Sequence, residues 1–100
     1  MIDLAQQKEE MIERQLMNRG IKNKKVLSAM RQVPREEFIK KELVEFAYQD
    51  APMPIEEDQT ISQPFIVALM ADKLKLRQDD RVLDIGTGSG YAAAVMSRVV

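Results

Sequence analysis

The sequence predicts an α/β protein, and three observations carry that expectation. Helical periodicity runs through most of residues 3–74; one short branched apolar run, "RVLDI", stands at 81–85; and the alternating "GTGSG" at 86–90 leads into a further apolar helix. Of the 100 residues, 45% are hydrophobic and 31% charged, the balance of a globular chain. Fifteen Lys and Arg oppose sixteen Asp and Glu, so no broad basic surface exists for nucleic acid. The absence of cysteine and histidine removes disulfides, thiolate zinc sites and the commonest general base. No metal is therefore expected. No stretch approaches the roughly 20 apolar residues of a membrane span, and the first residues lack a secretory apolar run, so a cytoplasmic protein is expected.

Each element has a local cause. Leu4, Met11, Ile12 and Leu16 share one helical face and Gly20 offers a stop, which predicts a helix over 3–19. A second helix starts near Asn23, carries Val26, Leu27, Met30 and Val33, and ends before Pro34. "PREEF" then opens a third, with Glu36 and Glu37 in its first turn and Ile39, Leu43 and Ala47 on its stripe, running to about Tyr48. Residues 50–60 form a loop with two prolines, one extended piece at 53–55 and a solvated acidic run at 56–58. Pro64 starts the next helix, whose stripe is Val67, Met70 and Leu74, with Phe65 and Met70 expected in the core. After a turn at 77–80, the run at 81–85 reads as a buried parallel strand and Tyr91 starts the last helix.

One strand cannot make a doubly wound sheet, so the chain is expected to be a truncated piece. Two parts are anticipated: N-terminal helices and an active-site loop over 1–78, and the first strand, glycine loop and helix of a cofactor-binding sheet over 79–100.

A strand, a glycine turn and a helix bring backbone N–H groups to one spot. The dinucleotide pattern G-x-G-x-x-G needs glycine at 91, where Tyr91 stands, and no Gly-Lys-Ser/Thr completes a phosphate loop. Asp84, just before the loop, would repel a pyrophosphate and favour a cationic ligand. S-adenosylmethionine carries both an ammonium and a sulfonium. Asp84 with Gly86, Thr87, Gly88, Ser89 and Gly90 is the candidate cofactor set. The alternative is a ligand-free turn with Asp84 capping the next helix.

"DAPMPIEEDQTISQPFIVALM" at 50–70, followed by "VLDIGTGSGY" at 82–91, resembles the protein-L-isoaspartate (D-aspartate) O-methyltransferase family, and "VPREEF" at 33–38 resembles its N-terminal pattern. The likeness runs through nearly the whole chain. "QTISQP" is far more specific than the glycine loop, which related methyltransferases share. The resemblance implies the N-terminal portion of a Rossmann-like enzyme. Such an enzyme methylates the free carboxylate of L-isoaspartyl residues in damaged proteins and peptides, releasing S-adenosyl-L-homocysteine, in protein repair. It further implies Ser62 as the active-site serine, with Gln59, Thr60 and Ile61 lining the cofactor.

The chemistry needs no histidine, because a carboxylate at neutral pH is already a nucleophile. Ser62, ahead of a helix start, suits positioning of that carboxylate; alternatively it only caps the helix. Tyr91 either stacks near the cofactor or covers the sheet. The rival functions are another class I S-adenosylmethionine methyltransferase acting on a small molecule or nucleic acid, and a non-catalytic fragment. The 100 residues by themselves are expected to be inactive, since a ribose-gripping acid would lie on a second strand.

Overall fold

The structure, a computed structural model, describes residues 3–55, 59–86 and 88–100. The expectations for the acidic run at 56–58 and for Thr87 lie outside these residues.

The N-terminal helical stretch follows its sequence signals. α1 (Leu4–Glu10) is capped by Asp3, whose Oδ1 accepts from the Gln6 N–H at 3.0 Å. The helix widens into a π-helical turn over Met11–Leu16, tightens to 3-10 geometry over Met17–Arg19, and stops at Gly20 with φ 99°. α2 (Lys24–Gln32) is capped by Asn23, which accepts from the N–H groups of Lys25 and Val26. It ends where Val33 turns extended ahead of Pro34.

The helix expected over 34–48 does not form. Two short 3-10 turns, Arg35–Phe38 and Lys41–Phe46, stand there, separated at the extended Ile39. The cause is a long-range demand on Arg35, which is fully buried and donates from Nε to the Ala47 carbonyl at 2.6 Å. A straight α-helix would hold residues twelve apart at about 18 Å along its axis. The chain folds back on itself instead, and the Tyr48 hydroxyl, which accepts from the Arg35 N–H and donates to Glu36, fastens the return.

β1 (Met53–Pro54) and β2 (Thr60–Ile61) pair antiparallel, with Met53 opposite Ile61 and Pro54 opposite Thr60. The extended piece expected at 53–55 is therefore present. α3 (Pro64–Leu74) begins with proline in its first turn, as expected, and ends at Lys75 in the left-handed region. The turn at 77–80 closes with the Asp80 N–H on the Arg77 carbonyl at 3.1 Å. α4 (Tyr91–Ser97) follows Gly90.

The expected strand at 81–85 is a second correction. These residues join no sheet, and Leu83 and Ile85 are 83% and 85% exposed. A strand is stable only when a neighbour takes its peptide groups, and among the described residues β1 and β2 pair only with each other. Met70 is the third: expected in the core, it is 61% exposed on the face of α3 turned from α2 and the π-helical turn. Leu74 is likewise exposed, while Val67 is buried as expected and Phe65 is half-buried.

The core sits where α2 meets α3 and α4, and where α3 meets the Met11–Leu16 turn. Ile12, Leu16, Val26, Met30, Ala68, Tyr91 and Val95 have essentially no exposed surface. Each large apolar side chain buried this way contributes about 1.5–3 kcal/mol.

Candidate functional site

Two stretches more than twenty residues apart in sequence face each other across one cavity of about 380 Å³. Thr60, Ile61 and Ser62 line one side; Asp84, Gly86, Gly88 and Ser89 line the other; Val67, Met70 and Tyr91 complete much of the wall. That volume falls within the roughly 300–1,000 Å³ of small-molecule sites.

β2 aims its residues by strand alternation. Ile61 is buried and Thr60 exposed, so the turn out of the hairpin leaves Ser62 exposed at the cavity. Ser62 does not cap α3: Gln63 holds that position and no side chain bonds the first turn. The helix-capping alternative for Ser62 is thereby removed. Gln59 is outside the cavity lining but beside the glycine loop, its Oε1 lying 3.6 Å from where a Cβ on Gly88 would stand.

Gly86, Gly88 and Gly90 all adopt positive φ, at 71°, 56° and 86°, so the loop needs glycine for its path alone. Gly90 is the residue before α4 and is not in the lining. Asp84 does not cap α4; the Tyr91 N–H is taken instead by Ser89 Oγ at 3.2 Å. Asp84 is half-buried, and its Oδ2 is buried without a hydrogen-bond partner among the described residues. A carboxylate oxygen left so calls for a cationic or donor ligand. The residues present thus fit a ligand with an ammonium-bearing end and do not fit a pyrophosphate. Among the described residues there is no cluster of three or more acidic side chains able to hold a metal, and no helix long and apolar enough to cross a membrane.

Behind the cavity lies a buried polar group that sequence reading passed over. The Arg35 guanidinium stands over the Tyr91 ring at 4.9 Å, and Phe38 meets the same ring edge-on at 5.6 Å. Tyr91 is fully buried, its hydroxyl 3.9 Å from Met30 Sδ. Of the two roles open to it, it combines cavity wall with core. Burial lowers the proton affinity of Arg35, with the tyrosines opposing that shift. Burial raises the Tyr91 phenol, and raises Tyr48 further still with the help of the Glu36 carboxylate. "VPREEF" gave a signal only in hindsight: an arginine after proline reads as a solvated helix start, and nothing local announces its burial.

A hydroxyl-bearing hairpin exit facing a glycine loop with an unsatisfied carboxylate marks a candidate small-molecule site in an α/β protein. The family model described as protein-L-isoaspartate (D-aspartate) O-methyltransferase matches residues 6–100. The chain is 61% identical over 93 residues to protein-L-isoaspartate O-methyltransferase 2 of Pelobacter propionicus, covering 93% of this chain and 41% of that one. It is 55% identical over 96 residues to protein-L-isoaspartate O-methyltransferase of Pelotomaculum thermopropionicum, covering 96% and 42%. A solved protein-L-isoaspartate O-methyltransferase superposes at TM-score 0.81 with 37% identity, over 92% of this chain and 30% of that one. The chain belongs to the protein-L-isoaspartate (D-aspartate) O-methyltransferase family, and the Rossmann-like α/β class expected from the sequence stands. It spans about two fifths of the length of the curated relatives it matches.

Proposed function

We propose that this protein binds S-adenosylmethionine between its hairpin exit and its glycine loop and methylates the free carboxylate of L-isoaspartyl residues in damaged proteins and peptides. The observation that carries the reading is the meeting of Thr60, Ile61 and Ser62 with Asp84, Gly86, Gly88 and Ser89 around one cavity. When bound, the cofactor supplies an activated methyl group. Asp84 receives its ammonium end, and the glycines let the backbone pass close beneath it. Gln59 stands beside the loop at Gly88, and Gly90 leads the loop into α4. Thr87, by family resemblance, belongs to the same cofactor set.

The acceptor carboxylate is ionised at neutral pH and needs no base. What remains is placement within about 3–3.5 Å in line with the methyl carbon, and exclusion of water. Ser62 donates its hydroxyl to one carboxylate oxygen, and the start of α3, free of any side-chain cap, adds partial positive charge beside it. In this division of labour residues 1–78 supply the helices and the active-site loop, with Gln59, Thr60 and Ile61 on the cofactor and Ser62 on the acceptor. Residues 79–100 supply the glycine-loop side of the cofactor site. Cytoplasmic protein repair belongs to the same reading, and the even charge balance supports a peptide rather than a nucleic acid substrate.

The reading is tested by methyl transfer from labelled cofactor to an isoaspartyl peptide and to its normal aspartyl twin, using the full-length protein. Label on the first peptide alone is expected; equal labelling of both, or of neither, contradicts it.

A further inference from the structure

We propose that Asp50 is a positioning residue for Ser62, acting through Gln63; the inference rests on the role just given to Ser62. The Asp50 carboxylate divides its oxygens between two partners. Oδ2 accepts from Arg19 Nη1 at 2.7 Å, and Oδ1 accepts from Gln63 Nε2 at 3.0 Å. Arg19 also reaches α3, its guanidinium carbon 3.8 Å from the ring centroid of Phe65. Phe65 is two residues beyond Gln63, so Arg19, Asp50, Gln63 and Phe65 form a closed ring of contacts around the entry to α3.

The ring is anchored from behind. Gln15 Nε2 donates to the Tyr48 carbonyl at 2.7 Å, tying the stretch before Asp50 to the same N-terminal helical stretch that carries Arg19. That stretch therefore reaches across the fold to hold the residue that follows Ser62. Gln63 is fixed at its side chain by Asp50 and at its backbone by the helix it starts, whose Ile66 and Val67 N–H groups its carbonyl accepts. With its side chain and its carbonyl both held, Gln63 fixes the start of α3 directly after Ser62, which lines the cavity.

An ordinary surface ion pair is the competing explanation, and Arg19 and Asp50 are partly exposed, at 42% and 36%. Such pairs add little stability. Two features exceed that description: the second oxygen of the same carboxylate is used on Gln63, and the guanidinium makes a cation–aromatic contact with the Phe65 ring.

The test is a double-mutant cycle in the full-length protein, reading kcat for methyl transfer to an isoaspartyl peptide beside the Kd for S-adenosylhomocysteine. D50A and S62A are each expected to lower kcat by about 10- to 100-fold, because small misplacements near the reacting atoms cost that much. Since both act through one hydroxyl, the double variant should be no slower than S62A. D50N keeps an acceptor for Gln63 and should recover most of kcat, and the Kd should stay at the wild-type value throughout. Losses that multiply, a D50A protein with wild-type kcat, or a Kd that weakens in step overturn the proposal. S62A at the wild-type rate overturns the Ser62 reading and this one with it, whereas a slow S62A beside an unaffected D50A overturns this one alone. Should D50A not fold, Q63A repeats the cycle with the Arg19–Asp50 pair intact.

Discussion

Arg35 and Tyr91, fifty-six positions apart, form a buried cation–aromatic pair, with the guanidinium carbon 4.9 Å from the ring centroid. The pair joins the 3-10 turn after Pro34 to the first residue of α4, and among the described residues it does so without a carboxylate: Nη1 and Nη2 are buried with no hydrogen-bond partner there. Arg35→Ala should cost about 3–5 kcal/mol, since it opens a cavity and strands the Ala47 carbonyl. Arg35→Met fills most of the space and removes a desolvated charge, so its cost should be smaller, about 1–3 kcal/mol. Urea unfolding of the two variants checks the order; a costlier methionine would contradict it.

Stability should decline in alkali. Tyr48 and Tyr91 both hold their protons more tightly when folded, first because they are buried. A group whose folded value is raised gives stability that is whole below its unfolded value and drains away above it, here above about pH 10. Arg35 shifts the other way, because burial disfavours its charge, so its cost is already present at neutral pH and eases only in strong alkali. Urea midpoints should be flat from about pH 7 to 9 and fall beyond 10, with a shallower fall in Tyr48→Phe. A midpoint unchanged at about pH 11 would count against buried phenols.

Two glycines with similar backbone strain should have opposite effects on function. Gly20, at φ 99°, has open space around a built Cβ, so Gly20→Ala should cost about 1–2 kcal/mol from conformation alone and leave cofactor affinity intact. At Gly88, with φ 56°, a Cβ would be in ordinary contact with Gln59 and Ile55, at 3.6 and 3.8 Å, so it is the added branches of valine that would crowd this side of the loop. Gly88→Val should therefore weaken binding of S-adenosylhomocysteine by about tenfold or more, a loss of about 1.4 kcal/mol. Calorimetry beside thermal melting separates the two.

Ser62→Ala should lower methyl transfer while leaving cofactor affinity unchanged if, as proposed, the hydroxyl holds the acceptor; it caps no helix. Loss of cofactor affinity alone would reassign Ser62 to the cofactor.

The parts of this fold that were legible are those with local causes. Asp3 and Asn23 announce helix starts by accepting from the first turn, Gly20 and Pro34 announce ends, and Pro64 opens α3. The halves of the site were legible too, because "QTISQP" and "GTGSG" carry unusual residues at fixed spacing. What periodicity could not show was anything decided by distant partners. The stretch 34–48 has a helical stripe, but Arg35 needs Ala47 and Tyr48 back beside it, and that need overrides propensity. Asp50 looked like one acid in a proline-rich loop; only folding reveals Arg19 and Gln63 at its two oxygens. The branched apolar run at 81–85 is real, yet a strand is a relation between segments rather than a property of one.

That last point bears on handling. Residues 82–85 present apolar side chains and unladdered peptide groups together, next to the bare faces of Met70 and Leu74. Surfaces of this kind zip onto any extended backbone they meet, their own twin included. In preparations limited to these 100 residues, sedimentation should therefore show particles that grow with concentration, and dilution or mild denaturant should reverse them.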